Sequence, residues 1–209
     1  MTAPTFNLNS ADAKQASGGA GKIDDLGKYV GKIKFAKFYK TDSGANFVSI
    51  NFVSDAGAYA NIVICTHGKN GQPTFGSNQI QAIMACLKLR TITPIDQVVD
   101  DYDHDAGKVQ PCERTVYKEM TGASLGLAMY REDSTYNGKD KSVMCIAAPF
   151  NFDTEQTAAE VLDNKPAEQL EKVVQSLKNI DKRAATQSAG GYDSMPPNND
   201  PGFDQDIPF

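Results

Sequence analysis

The chain has no tryptophan, only two histidines, and four cysteines that never form a Cys-x-x-Cys pair. Each scarcity removes a class of function. A zinc site would need His67 and His104, and neither stands at ligand spacing from a cysteine. Cys65, Cys86 and Cys145 sit in apolar stretches and Cys112 stands apart, so reduced thiols are expected rather than a disulfide framework. No apolar run approaches the ~20 residues of a membrane-spanning helix. The opening Met1-Thr2-Ala3-Pro4-Thr5-Phe6-Asn7 lacks the basic start and apolar core of a signal peptide. A cytoplasmic location with no membrane partner is the expectation. No Ser or Cys nucleophile motif accompanies either histidine. Gly18-Gly19-Ala20-Gly21 has no strand before it and no Gly-Lys-Ser/Thr ending, so it is not a phosphate loop. Asp101, Asp103 and Asp105 have the spacing of a calcium-loop start. Ala106, however, fills the glycine position and Cys112 the terminal glutamate position. The chain is expected to be no enzyme, with neither metal nor cofactor.

What is present is charge, unevenly placed. The net charge is −5, yet residues 1–150 carry 16 Lys and Arg against 15 Asp and Glu, while residues 151–209 carry 5 against 11. Lys28, Lys32, Lys34, Lys37 and Lys40 fall within thirteen residues that contain no acid. Local charge decides the affinity for a polyanion, because neutralising phosphates releases condensed counterions. The body can therefore bind nucleic acid while the C-terminal part repels it.

At 209 residues the chain suits one compact domain and a tail. Residues 1–27 read as a flexible lead. Strands are predicted from Tyr29 to Lys40, Asn46 to Ser54 and Tyr59 to Thr66, separated by turn chemistry at Asp42-Ser43-Gly44 and Asp55-Ala56-Gly57. After Gly68-Lys69-Asn70-Gly71 a helix begins past Ser77 or Asn78, with Ile80, Ile83, Met84 and Leu87 at helical spacing. Val98-Val99 reads as a short strand, and Asp100 to Asp105 as a polar loop. A strand runs from about Val116 to Arg131. Tyr136-Asn137-Gly138-Lys139 is a hairpin turn, followed by a last strand from Ser142 to about Ala148. Residues 155–180 form one or two helices broken near Pro166, and a tail starts near Ala184.

A helix between the third and fourth strands is the order of an OB-fold, a small Greek-key barrel that binds oligonucleotides across its second and third strands. The fold expected is therefore mainly β: an OB-fold barrel over residues 28–152, a helical extension over 153–183, and a disordered acidic tail over 184–209. Strand alternation then sorts the side chains. Ile33 and Phe35, then Val48, Ile50 and Phe52, then Ala60, Ile62 and Ile64 read as core. The opposite face gathers Lys32, Lys34, Phe38, Lys40, Phe47, Asn51, Tyr59 and Asn61. Rings that stack bases, with cations along the backbone, are what sequence-tolerant single-strand binding needs. Tyr136 and Lys139 on the late hairpin join this set, with Lys141 beside them and Arg114, Tyr117, Lys118 and Arg131 as secondary contacts. A one-residue bulge would exchange the two faces.

The residues at the other end carry a separate signal. Asp204-Gln205-Asp206-Ile207-Pro208-Phe209 puts two carboxylates before an isoleucine, a φ-restricted proline and a final phenylalanine. Residues 184–203 contain no Lys or Arg and are rich in Gly, Pro, Asn and Ser, a composition that stays unfolded. Apolar groups on such a leash suit a partner with a hydrophobic pocket and a basic rim. This ending resembles the acidic tip of bacterial single-stranded DNA-binding proteins. Gly31-Lys32-Ile33, the turn at Thr41-Asp42-Ser43-Gly44, the helix after Gly76-Ser77-Asn78, and Tyr136-Asn137-Gly138-Lys139 are similar to a family of phage-encoded single-stranded DNA-binding proteins. The two resemblances imply a non-enzymatic, sequence-nonspecific coat for single-stranded DNA in phage replication, recombination or repair. They also imply that Asp204, Asp206, Ile207, Pro208 and Phe209 recruit host replication and repair proteins such as exonuclease I, RecO, the PriA helicase or a polymerase clamp-loader subunit. A single-strand annealing protein, a metal-dependent nuclease using residues 100–105, and a protein-binding adaptor remain as alternatives. Oligomeric state is open, a homodimer included.

Overall fold

The computed structural model describes residues 21–103, 105–136 and 138–183. Strands dominate it. β1 (Gly27–Lys40), β2 (Asn46–Ser54) and β3 (Tyr59–His67) form an antiparallel meander, and α1 (Phe75–Cys86) follows. Next come a hairpin of β4 (Pro94–Asp103) and β5 (Lys108–Tyr117), then a second hairpin of β6 (Ser124–Tyr136) and β7 (Lys139–Phe150). Two short helices, α2 (Ala158–Leu162) and α3 (Gln169–Ser176), and the two-residue β8 (Ile180–Asp181) complete it.

β1 organises the sheet because both of its edges are used. One edge pairs with β2 from Gly31 to Lys40. The other pairs with β6 over Gly27–Lys32 and then meets β5 where Lys37 opposes Val116. The sheet thus forks at β1 into a β6–β7 arm and a β5–β4 arm. β7 lies alongside β3, but no ladder joins them among the described residues, so the sheet is not closed.

The core lies between these arms and α1. Ile33, Val48, Ile50, Phe52 and Ile62 of the meander meet Ile83 of α1, Leu125, Leu127 and Met129 of β6, and Ile146 of β7, all buried. Each such side chain contributes about 1.5–3 kcal/mol of transfer free energy. A smaller cluster joins Ala128 and Phe150 to Leu170 of α3. Two glycines permit the closest approaches. A Cβ at Gly76 would overlap the Cys65 carbonyl, where α1 starts on β3, and one at Gly126 would overlap the Phe150 ring.

Several sequence expectations shift. β2 matches its expected bounds, and β1 and β3 nearly so. α1 begins earlier than Ser77, because Thr74 is the cap: its Oγ1 accepts from Gly76 N at 3.2 Å while donating to the Cys65 carbonyl. The strand expected to run from Val116 to Arg131 is interrupted. β5 ends at Tyr117, a 3-10 turn spans Lys118–Met120, and β6 starts at Ser124. The supposed polar loop at Asp100 is the end of a ten-residue strand, since Asp100 to Asp103 pair with Pro111 to Lys108. The lead also becomes ordered sooner than residue 27. Ile23 is buried, and its amide donates to the Tyr59 carbonyl at 2.7 Å. All four cysteines are free thiols, and burial pushes Cys86 up to about 12. Among the described residues no helix is long and apolar enough to cross a membrane. The tail and the Asp204–Phe209 segment lie outside the described residues.

Candidate nucleic-acid interface

The outer face of the meander is set by a bulge in β1. Register with β2 slips between Ile33, opposite Phe52, and Phe35, opposite Asn51. Lys34 is the extra residue, and the two residues after it, Phe35 and Ala36, are both buried. Because side chains alternate, one inserted residue exchanges the faces beyond it. Ala36 and Phe38 then lie opposite the core residues Ile50 and Val48, while Lys37 and Tyr39 lie opposite Ser49 and Phe47.

Cross-strand rows can be read directly from the two ladders. Lys32, Val53 and Tyr59 form one row, and Asn51 pairs with Asn61 in the next. Lys37, Ser49 and Val63 follow, then Tyr39, Phe47 and Cys65. The rings of Tyr39 and Phe47 stack at 5.4 Å between centroids and 11° between planes, a contiguous two-ring platform. Ser49 Oγ donates to Asn61 Oδ1 at 2.6 Å. Tyr59 and Val63 stand about half exposed.

A groove of about 930 Å³ runs over this face. Its floor includes Ser49, Asn61 and Val63. Tyr39, Lys37, Tyr102 and Arg114 line the side of β1 and the β4–β5 hairpin. Lys22 and the β7 segment from Lys141 to Cys145 line the other side. Four of the lining side chains are cationic and none is acidic.

Behind the hairpin side lies a buried carboxylate. Asp101 is 7% exposed and one oxygen, Oδ2, accepts from both Lys37 Nζ at 2.5 Å and Arg114 Nε at 2.8 Å. Burial alone would raise its pKa, but the hydrogen bonds from Lys37 and Arg114 outweigh that and hold it below the usual carboxylate range. Asp103 accepts from the amides of Asp105 and Ala106 and from Gln110 Nε2. Of the acids at 100–105, these two are thus engaged in hydrogen bonds within the fold. Among the described residues no group of three or more His, Cys, Asp or Glu could hold a metal ion.

The expected site residues fall into three groups. Lys32, Phe47, Asn51, Tyr59 and Asn61 share the outer face of the meander. Lys34 is exposed in the bulge, and Lys40 is exposed at the end of β1 opposite Asn46. Phe38 is turned by the bulge to the side of Val48, half-buried, although it still borders the groove. Tyr136 and Lys139 oppose each other at the tip of the β6–β7 hairpin, beyond the segment that lines the groove, and Tyr136 is strongly exposed. The lysine run is also less free than its sequence suggests. Lys28 pairs with Glu155 at 2.7 Å and Lys37 with Asp101, both acids arriving from distant parts of the chain. Sequence reasoning missed Lys22, Tyr39 and Tyr102 as groove residues. No local signal marked Tyr39, because the bulge that brings it beside Phe47 is fixed only by the ladder with β2. No protein-family model matches the chain, and no curated protein sequence matches it.

Proposed function

We propose that this protein is a sequence-nonspecific single-stranded DNA-binding protein of phage origin, acting in the cytoplasm of the infected bacterial cell and without catalytic activity. The observation that carries the reading is the groove. It brings Tyr39, stacked on Phe47, and Tyr102 together with the exposed Lys22 and Lys141 on one face, with Tyr59 beside Lys22 at its edge. Rings accept any base and cations follow the backbone, so such a groove binds single strands without reading sequence. Duplex offers no unstacked base to those rings.

The strand arrangement supports an OB-type body. β1 is shared between β2 and β6, α1 sits between β3 and the later strands, and β7 returns beside β3. The groove lies over the second and third strands, where OB-folds take oligonucleotides. In this reading the β4–β5 hairpin is an insertion that walls one side. The segment Asp204–Phe209 recruits host replication and repair enzymes, and its acids compete with DNA for the groove.

The test is a titration of labelled single- and double-stranded oligonucleotides at several salt concentrations. Binding prefers the single strand, and each neutralised phosphate adds about −0.7 to the log–log salt slope. Lys32→Ala with Lys34→Ala flattens that slope, whereas Phe47→Ala or Tyr59→Ala lowers affinity at nearly unchanged slope. Equal affinity for duplex and single strand refutes the proposal.

A further inference from the structure

The two sides of the groove differ in how their cations are used. On the hairpin side, Lys37 and Arg114 share Asp101, so three charged groups leave a net of one positive charge. Lys37 keeps only 20% of its side chain exposed there, and Arg114 also feels Asp103. On the other side, Lys22 sits beside Tyr59 at the outer edge of β3, and Lys141 stands on β7. Neither makes an ion pair among the described residues, and both side chains are exposed. Of the tyrosines, the two that line the groove belong to the hairpin side, Tyr39, stacked on Phe47, and Tyr102, whereas Tyr59 lies beside Lys22 outside that lining.

We propose that a bound single strand lies across this groove with a fixed sidedness, its phosphates along the Lys22–Lys141 bank and its bases turned toward the Tyr39–Tyr102 bank. Asp101 is the residue that sets this orientation. By occupying Lys37 and Arg114 it leaves that bank too weakly charged to hold the backbone, while the Tyr39 ring, stacked on Phe47, offers a platform for bases. The affinity gained from counterion release belongs to cations that arrive unpaired, and a cation already held by a buried carboxylate must lose that partner before it can gain a phosphate. The inference rests on the single-strand reading above and adds to it which edge of the groove meets which part of the nucleotide.

The experiment uses the full chain and a fluorescein-labelled thymidine oligonucleotide, with anisotropy measured over a range of salt. Lys22→Gln and Lys141→Gln each reduce the magnitude of the log–log slope by about 0.7, one phosphate contact. Lys37→Gln leaves the slope within about 0.2 of the wild type, a small fraction of one contact. Asp101→Asn steepens the slope by about 0.7 and tightens binding at low salt, and adding Lys37→Gln in that background cancels the gain. A Lys37→Gln loss equal to that of Lys141→Gln overturns the sidedness while leaving single-strand binding intact. So does a well-folded Asp101→Asn variant whose slope is unchanged or shallower. If Asp101→Asn does not fold, the comparison of Lys37→Gln with Lys22→Gln and Lys141→Gln decides alone. A wild-type chain that shows no preference for single strands overturns both readings.

Discussion

Replacing Glu160 with glutamine tests whether one buried carboxylate fastens the N-termini of α2 and α3 to each other. Glu160 is 4% exposed and caps two helices at once. Oε2 accepts from the Thr157 amide and hydroxyl at 2.8 Å each, and Oε1 from the amides of Glu168 and Gln169 at 2.7 and 2.8 Å. Burial pushes its pKa up, but these four hydrogen bonds prevail and hold the folded value at about 2, against an ordinary 4.5. Because the folded pKa is depressed, the stabilisation is fully present above the unfolded value near 4.5. It is lost as pH falls through the folded value near 2. At about 1.4 kcal/mol per pKa unit, the carboxylate accounts for at most roughly 3 kcal/mol at neutral pH. Glutamine keeps one oxygen for two of the donors but turns an NH₂ toward the other two. A loss of about 2–3 kcal/mol is expected, and for a body of this size that lowers Tm by about 4–12 °C. Circular-dichroism melts of wild type and Glu160→Gln at pH 7 and pH 3 provide the assay. The Tm gap should narrow at pH 3, because there the unfolded wild-type chain takes up the proton while folded Glu160 stays largely ionised, so part of the advantage is lost from the wild type alone. Equal melting temperatures at pH 7, or a gap that stays constant with pH, would refute the reasoning.

The remaining predictions concern packing and the tail. Gly126→Ala places a methyl group into the fully buried Phe150 ring, so it should destabilise the fold by about 1–3 kcal/mol, measured by urea denaturation. Removing residues 201–209 should leave the body folded and strengthen DNA binding modestly, most visibly at low salt, where the acidic competitor is least screened. Deleting Phe209 alone should abolish much of the capture of exonuclease I in a pull-down while barely changing DNA affinity. Full retention of exonuclease I by that variant would show that Asp204–Phe209 is not a docking peptide.

Local chemistry and tertiary contact divide what the sequence could reveal here. The meander was legible because β2 and β3 alternate without interruption, from Val48 to Phe52 and from Ala60 to Ile64, and turn residues mark their ends. β1 was legible as a strand but not as a pair of faces. Its bulge lies at Lys34, where nothing in the local pattern separates an inserted residue from continued alternation, and only the ladder with β2 fixes it. Most of β4 was hidden for a different reason. Beyond the expected Val98-Val99 strand, Asp100, Asp101 and Asp103 read as a polar loop, and β-propensity gives no reason to place them in a strand. Asp101 tolerates burial there because Lys37 and Arg114 meet it, and Lys37 lies sixty-four residues away in sequence. The same long-range pairing explains why the lysine run overstated the proposed binding face. Five lysines without a local acid read as one free patch, yet Glu155 and Asp101 arrive by folding to engage two of them. Charge counted along the chain therefore gives only the sign expected of the proposed interaction with a polyanion. Which cations remain for it is decided by the acids the fold carries to them, and in this groove one acid, Asp101, engages both cations of the hairpin side.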